Sequence, residues 1–449
     1  MTSTPAPRPR RRTASIALVT GALAATALAA APAQATAGSA TTGTTAAGTT
    51  NGAGTGTGTG TTNATDRPAT RAALTKIVTD GLPGVTATAQ DANGVWRAGI
   101  GLGDLRTGEK RGEKDRFRIA SITKTFVATV LLQLEAEGRL DLDDTVEKWL
   151  PGLVHGEGHD GRKITVRQLL NHTSGIFDYL GDPEFNSGYA AGQGFLKNRH
   201  ASHEPEELVG YAMRNPPTQQ PGGVHQYSNT NYVLAALIIE AVAGEAYEDE
   251  IRERIIEPLG LRATLNPGDR STRPEPGSRA YSTLTHLPGP RIYDITSSNA
   301  SSVWGAGDMI SDAADLNRFF RALLQGGLLP PEQLKAMKTP APNPMEIGYG
   351  YGLGLEQYTT SCGTAVWGHT GGWKGSLTMS MHGEDGRRSL TFNTNGDWRF
   401  DGLMPPVEAE FCGTAPKAAA DTGADTGATE PPPALRTPLA DRVARAVGS

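Results

Sequence analysis

The sequence predicts an α+β fold, with an antiparallel sheet flanked by helices and a second, mostly helical lobe. Strand patterns occur near both ends of the foldable part of the chain and helical patterns fill its middle, a grouping typical of α+β proteins rather than alternating α/β ones. That foldable part has about 345 residues, which is enough for a sizeable core and two lobes. A binding site is expected between the lobes, because pockets favour such interfaces.

Each element follows from the spacing of its apolar residues, three or four apart in helices and alternating in strands. The first elements are a helix near 69–80 and strands near 84–90 and 95–100. Further helical patterns lie near 121–138, 144–150, 165–171, 206–214, 229–243, 247–258, 312–325 and 331–338. The later strands and a last helix are expected near 352–358, 364–370, 375–382, 388–394 and 404–411.

Residues 1–35 have the pattern of a secretory signal peptide. A basic region ending at Arg12 precedes an apolar run from Ala14 to Ala30, and Ala33-Gln-Ala35 is an Ala-x-Ala cleavage site. A retained membrane anchor is the alternative, but the apolar run is short and is interrupted by a Thr-Gly pair. We therefore expect a secreted protein without a stable membrane span, exported by a Sec or a twin-arginine route.

Two further segments are not expected to fold. Residues 36–66 consist almost wholly of Gly, Thr and Ala, and residues 415–449 contain Ala-Asp-Thr-Gly repeats and a proline run. Neither can bury enough apolar surface to become ordered, so we interpret 36–66 as a disordered linker and 415–449 as a disordered extension. The segment between them, 67–414, is the expected folded domain.

The composition excludes some classes of partner. The 449 residues carry a formal net charge of −5 at pH 7, and no basic stripe with interleaved aromatics occurs, so nucleic acid is not an expected partner. His155 and His159 lie in a glycine-rich loop without His-Glu-x-x-His spacing, and no metal site is predicted there. We interpret His200, His203 and Glu204 as a solvated turn.

Ser121-Ile-Thr-Lys124 carries the strongest functional signal. It follows the strand-like segment Arg116–Ala120 and opens an apolar helix, so the hydroxyl and the amine are expected on one face at the positive end of that helix. A serine nucleophile with a lysine base needs this arrangement. The alternative is a chance pairing of a helix-capping serine with a surface lysine.

Two later segments favour the catalytic interpretation. Tyr227-Ser-Asn229 precedes an apolar helix, and His369-Thr-Gly-Gly372 lies in a strand pattern. Each alone suits a structural role, the first as a turn and helix cap and the second as a strand end whose glycines allow close approach. Their occurrence in this order, about 100 and 140 residues apart, indicates one composite site.

The three motifs together resemble those of the penicillin-recognising serine hydrolases. This group includes serine D-alanyl-D-alanine carboxypeptidases, class C β-lactamases, and related esterases and aminopeptidases. The chain is most similar to the secreted carboxypeptidases, also in Arg167–Gly175, Gly350–Leu355 and Phe411–Gly413, and the similarity covers about 69–414. The resemblance implies a β-lactamase/transpeptidase-like fold and a reaction that uses no cofactor.

The resemblance also implies a role for each motif residue. Ser121 would be the nucleophile, and Lys124 and Tyr227 would share the removal of its proton, one of them with a pKa shifted towards neutrality. Asn229 would orient Lys124 and the substrate amide. The backbone N–H groups of Ser121 and Gly372 would form the oxyanion hole.

The strand motif would hold the substrate, with one departure nearby. The strand residues expected to bind the substrate are His369, Thr370, Gly371 and Gly372. Where the carboxypeptidases have an arginine that helps bind the terminal carboxylate, an ungapped alignment places Glu356, and an acid there would repel a carboxylate. Either Lys374, His369 and Thr370 bind the carboxylate instead, or the substrate lacks one. Trp304 and Trp373 could line the cleft or fill the core.

Cys362 and Cys412 are the only cysteines of the chain. An even count in an exported protein indicates one disulfide, with free thiols as the alternative. Each cysteine lies beside a segment that resembles the carboxypeptidases, which favours the bridge. It would tie the last helix to the strand that leads into His369.

The resemblance, together with these residues, implies an exported, monomeric serine D-Ala-D-Ala carboxypeptidase. It would cleave peptidoglycan stem peptides through a Ser121 acyl-enzyme and would be acylated by penicillins and other β-lactams. A β-lactamase of the same family is one alternative. An esterase, amidase or D-aminopeptidase of that family is another, and Glu356 is its main support. An alternative of another class is a penicillin-binding or cell-wall sensing protein without turnover, which the intact motif residues disfavour.

Overall fold

The computed structural model describes residues 66–272, 274–284, 291–343, 348–399 and 402–413. The expected signal peptide at 1–35, the expected linker apart from Asp66, and the expected extension at 415–449 lie outside these ranges. Within the described ranges, no helix combines the length and the apolar character that crossing a membrane requires.

The described helices fall mostly in the middle of the chain, and the long strands lie near its two ends. The helices are α1 (Pro68–Thr79), α2 (Thr123–Ala136), α3 (Val146–Trp149), α4 (Val166–Leu170), α5 (Pro183–Phe185), α6 (Gly192–Asn198), α7 (Pro205–Met213), α8 (Thr230–Ala243), α9 (Tyr247–Ile251), α10 (Glu257–Leu259), α11 (Ala313–Leu324), α12 (Pro331–Met337) and α13 (Met404–Cys412). The strands are β1 (Gly84–Asp91), β2 (Gly94–Gly101), β3 (Phe117–Arg118), β4 (His155–Gly156), β5 (His159–Asp160), β6 (Ser271–Thr272), β7 (Tyr281–Ser282), β8 (Tyr293–Asp294), β9 (Ser298–Asn299), β10 (Ile310–Ser311), β11 (Tyr349–Tyr351), β12 (Glu356–Thr359), β13 (Ala365–Trp373), β14 (Ser376–Gly383) and β15 (Ser389–Thr394).

One large sheet organises the domain. Seven strands pair in the order β11-β12-β13-β14-β15-β1-β2, and every neighbouring pair is antiparallel. The first strand therefore joins the last one, with Val85 opposite Thr394. The antiparallel sheet with flanking helices confirms the predicted α+β fold class.

Helices cover both faces of this sheet. On one face, Leu74 and Val78 of α1 share an apolar cluster with Val407 and Phe411 of α13. On the other face, α11 packs against β1, β14 and β15, and its Asn317 side chain donates to the Thr88 carbonyl at 3.0 Å. Because both faces are covered, most sheet residues are buried and the strand positions are firmly fixed.

The helical lobe is built around α8. Residues Thr230 to Ile239 of this helix are all buried, as expected for a helix that is apolar on all sides. It packs against α2, α4, α7 and α9 and ends at Gly244, whose φ of 79° suits a left-handed cap. The first turn of α8 lies beside α2, which brings the second motif next to the first.

Some elements differ from the sequence-based expectations. The strand expected near 352–358 begins only at Glu356, as β12, because the chain turns at Gly354 with φ 71°; β11 lies before the expected range. The helix expected near 247–258 contains a π-helical segment, Arg252–Ile256. The segment 183–198, for which no pattern was assigned, forms α5, a π-helical turn and α6. The expected loop at 155–160 is a short hairpin of β4 and β5.

Candidate active site

Ser121 lies where the chain turns from β3 into α2. It occupies a 3₁₀ turn, Ala120–Ile122, directly before the α-helix begins at Thr123. Ala120 adopts φ 47°, a conformation that costs energy for a residue with a Cβ and that often marks functional sites. The turn lies against β13 so closely that a Cβ on Gly371 would be 2.1 Å from the Ile119 carbonyl oxygen. Glycine is therefore required there, and β13 passes directly beside the serine.

The Lys124 amine lies at the centre of the site. It is 3.1 Å from Ser121 Oγ, 2.9 Å from Asn229 Oδ1 and 2.7 Å from the Ala306 carbonyl oxygen. These partners come from the 3₁₀ turn before α2, the residue before α8 and the segment before β10. The lysine is fully buried, so the structure brings together the three residues Ser121, Lys124 and Asn229 that the motifs predicted.

Burial changes the acid–base chemistry of this lysine. Desolvation lowers the pKa of Lys124 to about 7, although the carboxylates of Asp178, Glu356 and Asp308 act in the opposite direction. Near neutral pH a large fraction of the amine is therefore uncharged. An uncharged amine 3.1 Å from Ser121 Oγ is positioned to accept the hydroxyl proton.

Tyr227 contributes a protonated phenol rather than a phenolate. Burial raises its pKa well above the usual value, against a smaller lowering by its hydrogen bond with Ser121. The Lys124 Nζ lies 4.9 Å from the centre of the tyrosine ring. Of the two groups expected to share the serine proton, Lys124 is thus the one whose pKa approaches neutrality, and Tyr227 is placed to donate a hydrogen bond.

Asp178 joins the candidate site through a contact that the sequence did not reveal. Its carboxylate accepts a hydrogen bond from Asn229 Nδ2 at 2.9 Å, which leaves Asn229 Oδ1 to accept from Lys124. It also accepts from the backbone N–H of Leu180 at 3.1 Å. No motif contains Asp178, because its position follows only from the packing of the 171–181 segment against α8.

The segment before β10 supplies the third partner of Lys124. Asp308 is buried and accepts hydrogen bonds from the Tyr247 hydroxyl and from the backbone N–H of Gly305. These bonds fix the turn that presents the Ala306 carbonyl to the amine. Backbone carbonyls carry no sequence signature, which is why motif reasoning missed this contact.

His172 supports the ring of Tyr227 from behind. The two rings are 4.2 Å apart between centroids, and His172 is fully buried with φ 59°. Its Nδ1 accepts from the Ser228 backbone N–H at 3.2 Å and lies 3.1 Å from Asn231 Nδ2. Burial and the nearby lysine hold the pKa of His172 well below its usual value, so it is a neutral packing residue.

The third motif lies on β13, and its side chains point in different directions. His369 is fully buried, with Nε2 3.0 Å from the Tyr351 hydroxyl and Nδ1 2.5 Å from the Thr370 carbonyl oxygen. Desolvation lowers the pKa of His369 to about 3. Its expected role in holding a substrate stays a prediction, and in this geometry that role would act through Tyr351 and Thr370.

Thr370 is hydrogen-bonded to Glu356 through two groups. Its backbone N–H donates to Glu356 Oε2 and its hydroxyl to Oε1, both at 2.9 Å. Glu356 is only 3% exposed, and burial raises its pKa to about 7. The carboxylate on the neighbouring strand thus occupies both donors of Thr370.

Gly372 presents a backbone donor to the cleft. Thr370 donates its N–H away from β14, and N–H directions repeat at every second residue of a strand. The N–H of Gly372 therefore points to the same side, beyond the end of β12, and Gly372 is exposed. This agrees with the expected oxyanion hole, whose assignment to Ser121 and Gly372 stays a prediction.

The expected disulfide is present. Cys362 and Cys412 are bonded, with Cα atoms 5.8 Å apart and a separation of 50 positions in sequence. The bridge joins the β12–β13 connection to the end of α13, as predicted.

The structure gives separate outcomes for a possible metal site, for His203 and for the two tryptophans. Within the described part of the chain no cluster of His, Cys, Asp and Glu could hold a metal ion. The interpretation of His203 as solvated is wrong, because it is 5% exposed and its ring packs on Tyr189. Trp304 is buried against Tyr247, whereas Trp373 is half-buried at the end of β13.

Comparison with known proteins places these features in a family context. The family model described as Beta-lactamase matches residues 70–397. Penicillin-binding protein 4* of Bacillus subtilis strain 168 is 29% identical over 338 residues, which are 70% of this chain and 68% of that protein. Two further curated penicillin-binding relatives are spanned over 59% and 52% of their own length.

Solved structures give a second set of similarities. A D-stereospecific amidohydrolase from Streptomyces sp. is 51% identical, with a TM-score of 0.74 and coverage of 78% of this chain and 100% of that one. The D-amino acid amidase from Ochrobactrum anthropi SV3, complexed with L-phenylalanine amide, is 28% identical. Its TM-score is 0.63, with coverage of 76% of this chain and 97% of that one.

Proposed function

This chain belongs to the β-lactamase family, as a serine hydrolase of the kind that includes penicillin-binding proteins, and from that premise we propose that it is a D-stereospecific amidohydrolase. It would hydrolyse amides, and the corresponding esters, of D-amino acids that carry no C-terminal carboxylate. The observation that carries the proposal is the pairing of Glu356 with Thr370. The similarity to the Streptomyces amidohydrolase, over the whole length of that protein, supports it.

The Glu356–Thr370 pair works against a carboxylate-ended substrate in two ways. Thr370 directs both its hydroxyl and its N–H to Glu356, so neither donor is available to a substrate carboxylate. The glutamate also stands where the resembling carboxypeptidases have an arginine, and its ionised form would repel a second carboxylate. A neutral amide or ester group suffers neither penalty.

The geometry supports acyl transfer in two steps. The uncharged Lys124 amine takes the proton of Ser121 Oγ as the oxygen attacks the substrate carbonyl carbon. Backbone N–H groups of Ser121 and Gly372 would stabilise the resulting oxyanion. The lysine ammonium then returns its proton to the leaving nitrogen, directly or through the Tyr227 hydroxyl, and the amine departs from the acyl-enzyme.

Water then hydrolyses the acyl-enzyme, and the same groups transfer the protons. The amine of Lys124, again uncharged, takes a proton from water, which attacks the acyl carbon. The C–O bond to Ser121 breaks, and the serine oxygen recovers its proton. Asn229, held by Asp178, keeps the lysine amine aimed at the oxygen throughout.

The test is a comparison of matched substrates. We expect D-phenylalanine amide to be hydrolysed faster than its L-isomer by roughly a hundredfold or more. We also expect a D-alanyl-D-alanine peptide ending in a carboxamide to react at least as fast as the same peptide ending in a free acid. A strong preference for the free acid, or for L-amides, would overturn the proposal.

A Glu356→Gln variant tests the observation behind the proposal. Glutamine keeps one acceptor for Thr370 but removes the charge, so the relative rate on the acid-ended peptide should rise severalfold. Glu384→Gln is the matched control, because Glu384 is highly exposed in the β14–β15 connection and pairs only with Lys338 among its described ion pairs. An unchanged acid-to-amide ratio in Glu356→Gln would contradict the role given to Glu356.

A D-Ala-D-Ala carboxypeptidase that penicillin acylates is the second candidate. The similarity to penicillin-binding protein 4* favours it. Intact mass after adding a penicillin separates the possibilities. A long-lived adduct together with a preference for the acid-ended peptide would support the carboxypeptidase. Rapid hydrolysis of the penicillin would support a β-lactamase. An adduct on a protein that hydrolyses no substrate would support a sensor. The pattern at residues 1–35 further leads us to propose that the enzyme acts outside the cell.

A further inference from the structure

We propose that Tyr247 and Asp308 are positioning residues that aim the lone pair of the Lys124 amine at Ser121. They would act through the backbone carbonyl of Ala306, without touching a substrate. This inference rests on the base role that the proposed function gives to Lys124, and it names the residues that make that role possible. No sequence motif includes Tyr247 or Asp308.

An uncharged amine has two hydrogens and one lone pair, and its neighbours decide where each points. Two of the three groups around Lys124 Nζ can only accept a hydrogen bond. They are the Asn229 amide oxygen at 2.9 Å and the Ala306 carbonyl oxygen at 2.7 Å. When these oxygens take both hydrogens, the lone pair is directed at the third group, the Ser121 hydroxyl at 3.1 Å. Without the Ala306 carbonyl, the amine could rotate its lone pair away from the serine.

A directed chain of hydrogen bonds ends on the turn that carries Ala306. The Asn266 amide is oriented by a backbone N–H that donates to its oxygen at 2.9 Å. Its nitrogen donates to the Tyr247 hydroxyl oxygen at 2.6 Å, so the hydroxyl hydrogen is directed to Asp308. The same oxygen of Asp308 accepts from the Gly305 N–H at 3.3 Å. Asp308 therefore joins the turn to α9.

Packing leaves this turn little room to move. Gly305 adopts φ 66°, and an ideal Cβ there would be 2.6 Å from the Cβ of Ala236, so the turn lies directly on α8. Trp304 packs on the Tyr247 ring, with centroids 4.6 Å apart and planes at 72°. Because the residues just before Ala306 are held in this way, a change at Tyr247 is transmitted to the Ala306 carbonyl.

Each acceptor of the lysine amine is thus held by a carboxylate. Asp178 holds the Asn229 amide, and Asp308 holds the turn before Ala306. Both carboxylates also favour the charged form of Lys124. The two residues therefore have equivalent roles on two sides of the amine, one through a side-chain amide and one through the backbone.

Asp308 faces titratable and charged groups from several elements. They are Arg118 of β3, Lys124 of α2, Tyr247 and Glu248 of α9, and Tyr179. Burial raises the pKa of Asp308, and the hydrogen bond from Tyr247 acts against this rise. Removing the Tyr247 hydroxyl should therefore favour the neutral form of Asp308 and weaken its pull on the lysine ammonium.

The other groups around the amine are the same in every variant that alters this pair. His172 and His369 have lowered pKa values and stay neutral, and the raised pKa of Tyr227 keeps it protonated. Burial raises the pKa of Glu356 to about 7, so Glu356 titrates in the same range as Lys124, and the acid limb reflects both groups. A comparison between variants isolates the contribution of Asp308.

The test uses p-nitrophenyl acetate, because this activated ester acylates a serine whatever the natural substrate is. The burst of p-nitrophenolate, with the Ser121→Ala background subtracted, gives the acylation rate between pH 5 and 9. In Tyr247→Phe the rate on the upper plateau should fall by about tenfold, because the lone pair is less well aimed. The acid limb should also move to lower pH, because the ammonium form of Lys124 is less favoured.

Asp308→Asn separates the aim of the amine from its charge. Asparagine keeps an oxygen that can accept from Tyr247 and Gly305 but carries no charge. The acid limb should move to lower pH by about half a pH unit or more, whereas the plateau rate should stay near that of the wild type. Because this variant keeps the volume of the side chain, it decides the question if Tyr247→Phe does not fold.

Two matched controls measure what losing a buried polar group costs elsewhere. Tyr281→Phe removes a buried hydroxyl that accepts from the Leu105 N–H at 2.9 Å. Asp315→Asn neutralises a buried carboxylate that accepts from the Ala263 N–H and the Thr264 hydroxyl. Both controls should keep the wild-type profile.

A wild-type plateau in Tyr247→Phe, or a wild-type acid limb in Asp308→Asn, would overturn the proposal. The same changes in the control variants would also overturn it, because the effect would then be general to buried polar groups.

The burst rates also separate this inference from the proposed function. If D-phenylalanine amide is hydrolysed no faster than its L-isomer but Asp308→Asn moves the acid limb, the proposed function fails and the positioning role stands. If the preference for the D-amide holds and both variants keep the wild-type burst profile, only the positioning role fails.

Discussion

The Asn229 side chain donates a hydrogen bond from its amide nitrogen to Asp178 at 2.9 Å, and its amide oxygen accepts one from the Lys124 amine, also at 2.9 Å. An isolated amide could point either end at the lysine, and the carboxylate removes that choice. In the proposed mechanism Asp178 is therefore a positioning residue that acts through Asn229. It also adds negative charge near the lysine, which favours the ammonium form and partly offsets desolvation.

Replacing Asp178 tests both effects. In Asp178→Ala, kcat/KM should fall by about ten- to a hundredfold, because the lysine amine is less well aimed. The acid limb of the pH profile should also move to lower pH, since removing a negative charge makes Lys124 easier to deprotonate. Asp182→Ala is the control, because Asp182 caps α5 rather than bonding to Asn229. If the acid limb of the Asp178→Ala profile lies at the same pH as in the wild type, the proposed electrostatic effect of Asp178 on Lys124 is contradicted.

Lys124 should control the pH dependence of the wild-type enzyme. Its pKa is lowered to about 7, and only the uncharged amine can accept the serine proton. Activity should therefore be lost as pH falls below about 7, by tenfold for each pH unit well below it, and should level off above it. A kcat/KM profile measured between pH 5 and 9 checks this. A plateau extending down to pH 5 would count against the lysine as base.

Lys124→Arg separates charge from base function. Arginine retains the positive charge but stays protonated at every accessible pH. We expect kcat to fall by about a thousandfold, within the usual range for loss of a general base. Because the variant also changes shape, binding of a penicillin measured apart from acylation would show that the cleft still forms. Substantial turnover at neutral pH would exclude the proposed role.

Ser121→Ala should remove the covalent step altogether. The loss in kcat should be about 10⁴-fold or more, as for other nucleophiles that act with a dedicated base. Intact mass should show no acyl adduct with either a penicillin or a slowly deacylating ester. An adduct of the same mass in this variant would place the nucleophile on another residue.

The disulfide should contribute stability rather than chemistry. Closing a loop of 50 residues restricts the unfolded chain by up to about 4 kcal/mol in the chain-entropy model. The double variant Cys362→Ser/Cys412→Ser should unfold at a lower denaturant concentration and a lower Tm. Its kcat/KM at 25 °C should remain close to that of the wild type, because neither cysteine contacts Ser121 or Lys124. An unchanged Tm would show that the bridge adds nothing.

Motif spacing predicted part of this site because it reflects local geometry. Ser121 and Lys124 are one helical turn apart, so their approach follows from the helix itself. Tyr227 and Asn229 could be placed beside them only through the resemblance to a family. Asp178 and Ala306 escaped prediction, because each reaches the site through tertiary packing that leaves no pattern in the sequence.

Glu356 shows where charge arguments from sequence are incomplete. Its position in the sequence predicted that Glu356 repels a substrate carboxylate, and this expectation still applies to the ionised form of the Glu356 side chain. The sequence could not indicate that Glu356 would also engage both donors of Thr370. His203 is the reverse case, since its polar neighbours predicted exposure and aromatic packing buries it.

The three partners of the Lys124 amine make the enzyme intolerant of partial disorder. They come from positions 3, 105 and 182 residues away in the chain, and burial of the amine lowers its pKa. If water entered, the amine would regain its ordinary pKa, and at pH 7 only roughly one molecule in a few thousand would carry a usable base. Mild heating or a low denaturant concentration should therefore abolish activity before the sheet unfolds. In the proposed mechanism, Lys124 can therefore deprotonate Ser121 only when the segments around its amine are all folded.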